Sequence, residues 1–274
     1  MAVDKTQLFE KEKPSFKEYN EWMKIRHGIK DLKELKSYYN AVAEDVKLVF
    51  EKSEFWKLLR DSLEDYSEDY LKETEFELFK SDESLLPKFE IKPFSSFISK
   101  TFRKNIVEND RYPEKPEEGW ILPESFFGKV NDIVRTMITV KYLDGVKFII
   151  EKLEILCKDE NITHEVTLEA KEEGYYAAHF IVKREFEIKK SSGFDTKKVI
   201  VPIEIQIATQ LQEVIKVLLH KYYEERREKT SLRKVEEWKW DYGSTEFATN
   251  YLGHVLHYIE GMIVEIKNKQ RKEL

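Results

Sequence analysis

The stretch KKVIVPIEIQIA, residues 197–208, carries an apolar side chain at every second position from Val199 to Ile207 and leads directly into a helical pattern. Side chains of a strand point to opposite faces in turn, so the isoleucines are predicted on one face and Glu204 and Gln206 on the other. Alternation of this length predicts a strand of a sheet. Glu204 is then either a solvent-facing acid or a functional carboxylate held on the second face.

The rest of the chain predicts a mixed sheet between helices. Three more stretches rich in β-branched and aromatic residues are predicted as strands, at 132–142, 163–170 and 175–190, with a helix at 145–159. Apolar residues at three-to-four spacing predict helices before residue 87 and after residue 208. We therefore expect an α+β fold with an N-terminal helical region (1–87), a core (88–224) and a C-terminal helical extension (225–274).

Composition narrows the functional classes. Cys157 is the only cysteine among 274 residues, which excludes an internal disulfide framework, and we expect a cytoplasmic protein. No apolar run reaches the roughly 20 residues that a membrane-spanning helix needs. The net charge of −6 does not indicate a nucleic-acid binder, so an anionic ligand would have to bind a local basic patch.

Two carboxylates are candidates for a metal site. Asp132 stands at the start of the predicted strand 132–142, and it would lie beside Glu204 if the two strands are neighbours. One or two carboxylates, completed by water and substrate phosphates, are the usual ligands of Mg²⁺. Taken singly, Asp132 is better explained as an ordinary turn acid.

The segment EGYYAAHF suggests a surface for a nucleotide base. A strand beginning near Tyr175 places Tyr175, Ala177 and His179 on one face. Stacking of a base on such a ring is worth about 1–3 kcal/mol. The alternative is that both rings are packing residues.

The segment KPFSSFISKTFRKN suggests a site for phosphates. Lys92, Ser96 and Lys100 recur at intervals of four and Arg103 follows, so a helix beginning near Ser95 would carry cations and a hydroxyl along one side. Backbone N–H groups at its start would be free to bind an anion. A solvated basic helix face is the alternative.

Four segments together resemble the synthetase domain of the RelA/SpoT family, whose members transfer the β,γ-pyrophosphate of ATP to a ribose 3′-hydroxyl. They are KPFSSFISK, NDIVRTMI, EGYYAAHF and PIEIQIATQLQEVIKVLLHKYYE; they occur in the family's order, and the resemblance covers residues 88–224. The resemblance implies a nucleotidyltransferase-like core. Because the chain has no His-Asp dipeptide, it is most similar to the small, stand-alone alarmone synthetases.

The resemblance also implies roles for individual residues. Asp132 and Glu204 would be catalytic and would hold Mg²⁺. The remaining implied residues fall into an ATP-phosphate group, Lys92, Ser96, Lys100 and Arg103, and an acceptor group, Gly174, Tyr175, His179 and Gln206.

The sequence departs from the family where nucleotides are recognised. Glu90 and Ala208 stand where the family has arginines, and Ala177 stands where it has a serine. Met137 replaces another arginine, while Arg135 is expected to face away from the aspartate of its strand. These differences leave three functions open: synthesis of (p)ppGpp or an adenosine alarmone, pyrophosphorylation of the tRNA 3′ end by a toxin with an antitoxin partner, and nucleotide or partner binding without catalysis. A homo-oligomer is compatible with each.

Two further features bear on these alternatives. A tRNA substrate would need a basic track, for which Lys100, Arg103, Lys104 and the cluster RREKTSLRK at 226–234 are candidates. In LGHVLHYIEGM, His254 and His257 have a spacing compatible with metal ligation, although packing is the favoured interpretation.

Overall fold

Among the described residues, helices lie toward both ends of the chain and five strands lie between them. The computed structural model describes residues 9, 12–28, 31–80, 87–172, 174–191, 195–217 and 237–273. The helices are α1 (Phe16–His27), α2 (Leu32–Glu51), α3 (Glu54–Thr74), α4 (Phe94–Phe102), α5 (Phe126–Lys129), α6 (Leu143–Asp159) and α7 (Thr245–Glu273). The strands are β1 (Glu90–Ile91), β2 (Val134–Val140), β3 (Thr163–Ala170), β4 (Tyr176–Lys189) and β5 (Thr196–Thr209). A π-helix (Arg103–Val107), a helical stretch at 210–217 and a 3₁₀ helix (Glu237–Trp240) complete the described elements.

The strands form one five-stranded sheet in the order β1-β2-β5-β4-β3. β1 runs antiparallel to β2, with Glu90 opposite Arg135 and Ile91 opposite Val134. The predicted α+β class, a mixed sheet flanked by helices, is confirmed. β2 and β5 are neighbours; Glu204 lies on β5 and Asp132 lies two residues before β2.

The second face of β5 is not open to solvent. Every residue from 201 to 209 is buried, and Glu204 and Gln206 are each only 6% exposed. The interpretation of Glu204 as a solvent-facing acid is therefore wrong. The reason is that β5 is the middle strand of the sheet and is covered on both faces over residues 201–209, which alternation alone does not reveal.

The chain forms two compact units. Unit 1 comprises Met1–Lys52, Phe89–Arg135 and Lys183–Glu204, and unit 2 comprises Ser53–Lys88, Thr136–Val182 and Ile205–Leu274. Each unit is therefore built from three separate stretches of chain. The division at residues 87 and 224 stays a prediction.

Aromatic side chains make up much of the core of unit 1. The ring of Tyr39 on α2 stacks on Phe97 of α4 at 4.7 Å between ring centroids, and Phe97 meets Phe126 of α5 edge to face at 4.8 Å. All three side chains are at most 2% exposed. Such pairs add about 0.5–1.5 kcal/mol each to the burial of their area, so α2, α4 and α5 are fixed around one cluster.

In unit 2, α3 packs against α6. Leu59 and Leu63 of α3 and Ile149, Leu153 and Cys157 of α6 are all at most 1% exposed, at the three-to-four spacing of helix faces. Burial raises the pKa of the Cys157 thiol to about 12. Cys157 is therefore a neutral packing residue.

None of the described helices combines the length and the apolar character needed to cross a membrane.

Asn105, in the π-helix, makes buried hydrogen bonds within unit 1 whose contribution to stability a substitution can test. Its side chain is fully buried, donates to Tyr19 Oη at 2.8 Å and to Ile121 O at 3.0 Å, and accepts from Ile121 N at 2.9 Å. We expect Asn105→Ala to lower the free energy of unfolding by roughly 3 kcal/mol, since it leaves buried groups unsatisfied. Val107→Ala, in the same π-helix but half exposed, should change it by less than about 0.5 kcal/mol in urea denaturation. Equal effects of the two substitutions would contradict this role.

Candidate active site

Two lysines and one aspartate form a compact cluster in unit 1, here called the Asp132 cluster. Lys92 directly follows β1, Lys100 lies on α4, and Asp132 stands two residues before β2. Lys92 Nζ donates to Asp132 Oδ2 and Lys100 Nζ donates to Asp132 Oδ1, each at 2.9 Å. The sequence assigned the lysines to phosphates and the aspartate to a metal; the structure brings all three into direct contact.

Burial makes these interactions strong. Lys92 is 7% exposed as a residue, whereas the side chain of Lys100 is 25% exposed. Burial opposes ionisation of Asp132, but the charges and hydrogen bonds of Lys100 and Lys92 outweigh it and lower the pKa of the carboxyl group. Burial also lowers the pKa of the Lys92 ammonium, against the opposing effect of Asp132. Asp132 is thus held as a carboxylate.

The backbone of Lys92 is fixed from two sides. Its N–H donates to Ile133 O at 2.9 Å, and its carbonyl accepts from Tyr39 Oη at 2.7 Å. Burial, followed by the nearby charge of Asp132, raises the pKa of Tyr39, so the phenol remains a donor. The aromatic core of unit 1 therefore holds in place the backbone from which the Lys92 side chain extends.

The N-terminus of α4 offers backbone donors close to Lys92 in the chain. Pro93 is the N-cap residue and gives no side-chain cap, and the first intrahelical bond runs from Phe97 N to Pro93 O. The N–H groups of residues 94–96 lie ahead of that bond, and helix N-termini of this kind favour anions. Ser96 lies in this first turn and is partly exposed.

A cleft of about 310 Å³ opens beside this turn. It is lined by Ile91, Lys92 and Pro93 and, from α2, by Asn40 and Glu44. This volume lies at the small end of the range of ligand pockets.

Glu204 lies on β5, the strand next to β2. Among the described residues no three His, Cys, Asp or Glu side chains are grouped as a metal cage. Glu204 on β5 and Asp132, two residues before the neighbouring β2, are nevertheless the type of ligand that suits Mg²⁺, because this ion is commonly held by one or two carboxylates and the phosphates of its substrate. Each oxygen of Asp132 accepts one lysine bond and keeps a second lone pair for a metal.

Two arginines of this unit are engaged in ion pairs. Arg103 Nε lies 2.7 Å from Glu108 Oε1, so this predicted phosphate ligand pairs with a carboxylate that is not part of the Asp132 cluster. Arg135 pairs with Glu90 at 3.5 Å, across the register of β1 and β2, and its charge contributes to the lowered pKa of Lys92.

The predicted acceptor residues lie in unit 2, where a tight turn precedes β4. Gly174 has φ +76°, a left-handed conformation that strongly favours glycine, and its N–H donates to Lys171 O at 2.9 Å. Lys171 N in turn donates to Tyr175 O at 3.0 Å. Two backbone bonds thus fix the turn, here called the Gly174 turn (residues 171, 172, 174 and 175).

Tyr175 and His179 lie together, as the strand pattern predicted. Their ring centroids are 6.2 Å apart, and Lys171 Nζ lies 5.2 Å from the centroid of the Tyr175 ring. His179 Nε2 is 3.1 Å from Glu169 Oε2. This contact with His179 is the largest influence on Glu169 and, with Lys171, lowers its pKa to about 2.

Gln206 contacts a residue that the sequence did not single out. Lys216 Nζ, from the helical stretch 210–217, donates to Gln206 Oε1 at 2.6 Å. Glu169 and Lys171 were likewise missed, since nothing in the strand pattern distinguishes them from solvated charges. Lys216 had one signal: it is a lone charge within the apolar run VIKVLL. His220 and the basic cluster at 226–234 lie outside the described residues.

Comparison with known proteins identifies the fold. No protein-family model matches the chain, and no curated protein matches it significantly. Among solved structures, it is similar to the small alarmone synthetase 1 from Bacillus subtilis, with 15% identity, a TM-score of 0.50, and coverage of 88% of this chain and 97% of that one. The chain has the fold of the small alarmone synthetases.

A second structure of the Bacillus subtilis enzyme, bound to its product pppGpp, matches with 16% identity and a TM-score of 0.50 over 92% of this chain and 98% of that one. The predicted RelA/SpoT synthetase fold is thereby confirmed.

The Glu169–His179 contact predicts a specific pH dependence of stability. The folded pKa of Glu169 lies below its ordinary value of 4.5, so the contact contributes fully above about pH 4.5, and its contribution is lost as the pH falls toward 2. Glu169→Gln should therefore lower the free energy of unfolding at pH 6 and flatten its decrease between pH 4.5 and 2, measured by urea denaturation. Glu64→Gln, at an exposed position on α3, controls for the change in net charge. An unaltered pH profile for Glu169→Gln would contradict the contact.

Proposed function

We propose that this protein is an ATP-dependent pyrophosphokinase that transfers the β,γ-pyrophosphate of ATP to the ribose 3′-hydroxyl of a purine nucleotide. The observation that carries the proposal is the Asp132 cluster, an ionised carboxylate held by two lysines next to a helix N-terminus, in a chain with the small alarmone synthetase fold. Transfer of phosphoryl groups depends mainly on alignment and on neutralisation of charge, which such a cluster supplies.

The two lysines have different roles in this proposal. Lys92 is buried and bound to Asp132, so it orients the carboxylate. Lys100 is more exposed, and one of its three N–H donors binds Asp132, which leaves two for phosphate oxygens of ATP. Ser96 and the N–H groups of residues 94–96 add neutral donors at the start of α4.

Asp132 and Glu204 are the residues that would hold Mg²⁺. When bound, the ion would neutralise charge on the phosphates and polarise them toward attack. The low pKa of Asp132 keeps this ligand ionised throughout the physiological pH range.

The proposed reaction is a single displacement at the β-phosphorus of ATP. The acceptor 3′-oxygen forms a bond to the β-phosphorus as the bond from this phosphorus to the α,β-bridging oxygen breaks, and AMP leaves with the electron pair. Glu204 would accept the hydroxyl proton and release it to solvent with the products. Lys100 would stabilise the charge that develops on the transferred group.

Tyr175 supports a nucleotide as the acceptor. Its ring offers a stacking surface beside His179, on a turn fixed by Gly174. The related Bacillus subtilis enzyme was crystallised with pppGpp, which supports a purine nucleotide. At the positions of Ala177 and Ala208 the family has polar side chains. Their replacement by alanine supports a preference between guanine and adenine that differs from the preference of the family.

A tRNA acceptor is less well supported. Two cations of the predicted basic track, Arg103 and Lys104, both pair with Glu108, at 2.7 and 3.1 Å. Paired cations contribute little to a field that attracts a polyanion. We therefore propose a free nucleotide and treat tRNA as an outcome of the test.

The decisive experiment incubates the purified protein with γ-labelled ATP, Mg²⁺ and, in turn, GDP, GTP, ADP or tRNA, and identifies products by mass spectrometry. We expect a 3′-pyrophosphorylated nucleotide and AMP in equal amounts. Label on tRNA alone would establish the alternative substrate. Nucleotide binding without transfer to any acceptor, under conditions where a known synthetase works, would indicate a non-catalytic protein.

Substitutions test the assigned roles in the same assay. Lys100→Ala and Glu204→Gln should each lower kcat/KM by roughly 10²–10³-fold, since each removes a group that acts on developing charge or on the proton. The matched controls Lys36→Ala on α2 and Glu185→Gln on β4, both at exposed positions of unit 1, should retain full activity. Wild-type rates for Lys100→Ala would remove Lys100 from the site.

A further inference from the structure

The C-terminal helix α7 touches the Gly174 turn backbone to backbone within unit 2. A Cβ atom added at Gly253 of α7 would lie 2.2 Å from the carbonyl oxygen of Gly174, and one added at Gly174 would lie 2.3 Å from Asn250 O. Neither position can carry a side chain without moving a backbone. Glycine inside a helix is unfavourable by itself, so close approach of the turn is the physical reason for Gly253.

Tyr176, the residue after the turn, is held by two histidines of α7. Its ring stacks on His257 at 3.6 Å between centroids with 5° between the planes, and its hydroxyl lies 2.7 Å from His254 Nδ1. His254 Nε2 lies 2.8 Å from Glu172 O. A carbonyl only accepts, so Nε2 carries the proton and Nδ1 accepts from Tyr176.

This arrangement explains the pattern LGHVLHYIEGM without a metal. Both ring nitrogens of His254 are engaged by the segment around the turn, and the ring of His257 lies flat against Tyr176. Tyr175 immediately precedes Tyr176, the first residue of β4, so the two residues share one peptide bond. A clamp on Tyr176 therefore fixes the direction of Tyr175.

The same helix also holds the end of β5. Glu260 of α7 is 4% exposed, accepts from Gln212 Nε2 at 3.0 Å and accepts a short hydrogen bond from Thr209 Oγ1. Gln206, three residues before Thr209, belongs to the predicted acceptor group. α7 thus contacts both chain segments that carry this group.

We infer that α7 is a positioning element of the acceptor site, with Gly253, His254 and His257 as positioning residues that set the Gly174 turn and the Tyr175 ring. None of the three needs to touch a substrate. The expected effect on catalysis rests on the proposed function. The mechanical part of the inference, that α7 orders the Gly174 turn, does not.

The mechanical part is tested by hydrogen exchange of the Lys171 and Gly174 amides, which form the two backbone bonds of the turn. Gly253→Ala should accelerate exchange of both by at least about tenfold, equivalent to about 1.4 kcal/mol. Gly261→Ala is the matched control on α7, since an added Cβ there meets no described heavy atom within 4 Å, and it should leave exchange unchanged. Unchanged exchange in a folded Gly253→Ala would overturn the inference.

A milder pair keeps the test valid if Gly253→Ala does not fold. Tyr176→Phe removes only the hydroxyl that meets His254, and exchange of the two amides should rise by about threefold. Tyr258→Phe, at a 69% exposed position of α7, should have no effect. Identical exchange in both tyrosine variants would contradict the role of His254.

Kinetics test the consequence for the acceptor site. In Gly253→Ala or Tyr176→Phe, KM for the acceptor should rise by at least about fivefold, while binding of a non-hydrolysable ATP analogue changes by less than about twofold. Equal losses for both nucleotides would indicate a general structural role instead. A wild-type protein without transfer activity would refute the proposed function and leave the exchange experiment decisive for α7.

Discussion

The Asp132 carboxylate between Lys92 and Lys100 is the interaction on which unit 1 and the proposed chemistry depend. It joins the end of β1, the helix α4 and the start of β2 through two 2.9 Å bonds. Removal of one partner of such a buried pair typically costs about 3–5 kcal/mol, because the remaining charge stays buried without compensation. The same arrangement keeps Asp132 ionised, so the stability of unit 1 and the proposed function depend on one cluster.

The two groups of predicted ligand-binding residues are held in place by different interactions. The Asp132 cluster is fixed by charge and by the Tyr39 hydroxyl on Lys92 O, inside an aromatic core. The Gly174 turn is fixed by close backbone contact and by the ring of Tyr176 against α7. A cluster of charged side chains is suited to binding phosphates, and a turn of fixed shape is suited to binding a base. This difference is consistent with separate binding of donor and acceptor nucleotides.

Patterning predicted the fold well, since β3 spans the predicted residues and β5 extends the prediction by one residue at each end. Alternation could not predict that Glu204 is buried, because burial of the second face depends on neighbouring strands and covering elements. Likewise, spacing placed Lys92 and Lys100 on one side of a segment but could not show their contact with Asp132, 32 residues further on. The contacts of Lys216 and of α7 are equally long-range, and no local pattern encodes them.

In the proposed function, Asp132 and Glu204 bind a divalent cation together with the phosphates of ATP. Mn²⁺ accepts the same oxygen ligands as Mg²⁺, and its unpaired electrons broaden the NMR signals of nearby nuclei. With a non-hydrolysable ATP analogue present, substoichiometric Mn²⁺ should selectively broaden the amide signals of Ser96, Asp132 and Glu204, and Asp132→Asn should abolish the effect. Retention of these three signals while others broaden would place the cation elsewhere and contradict the account.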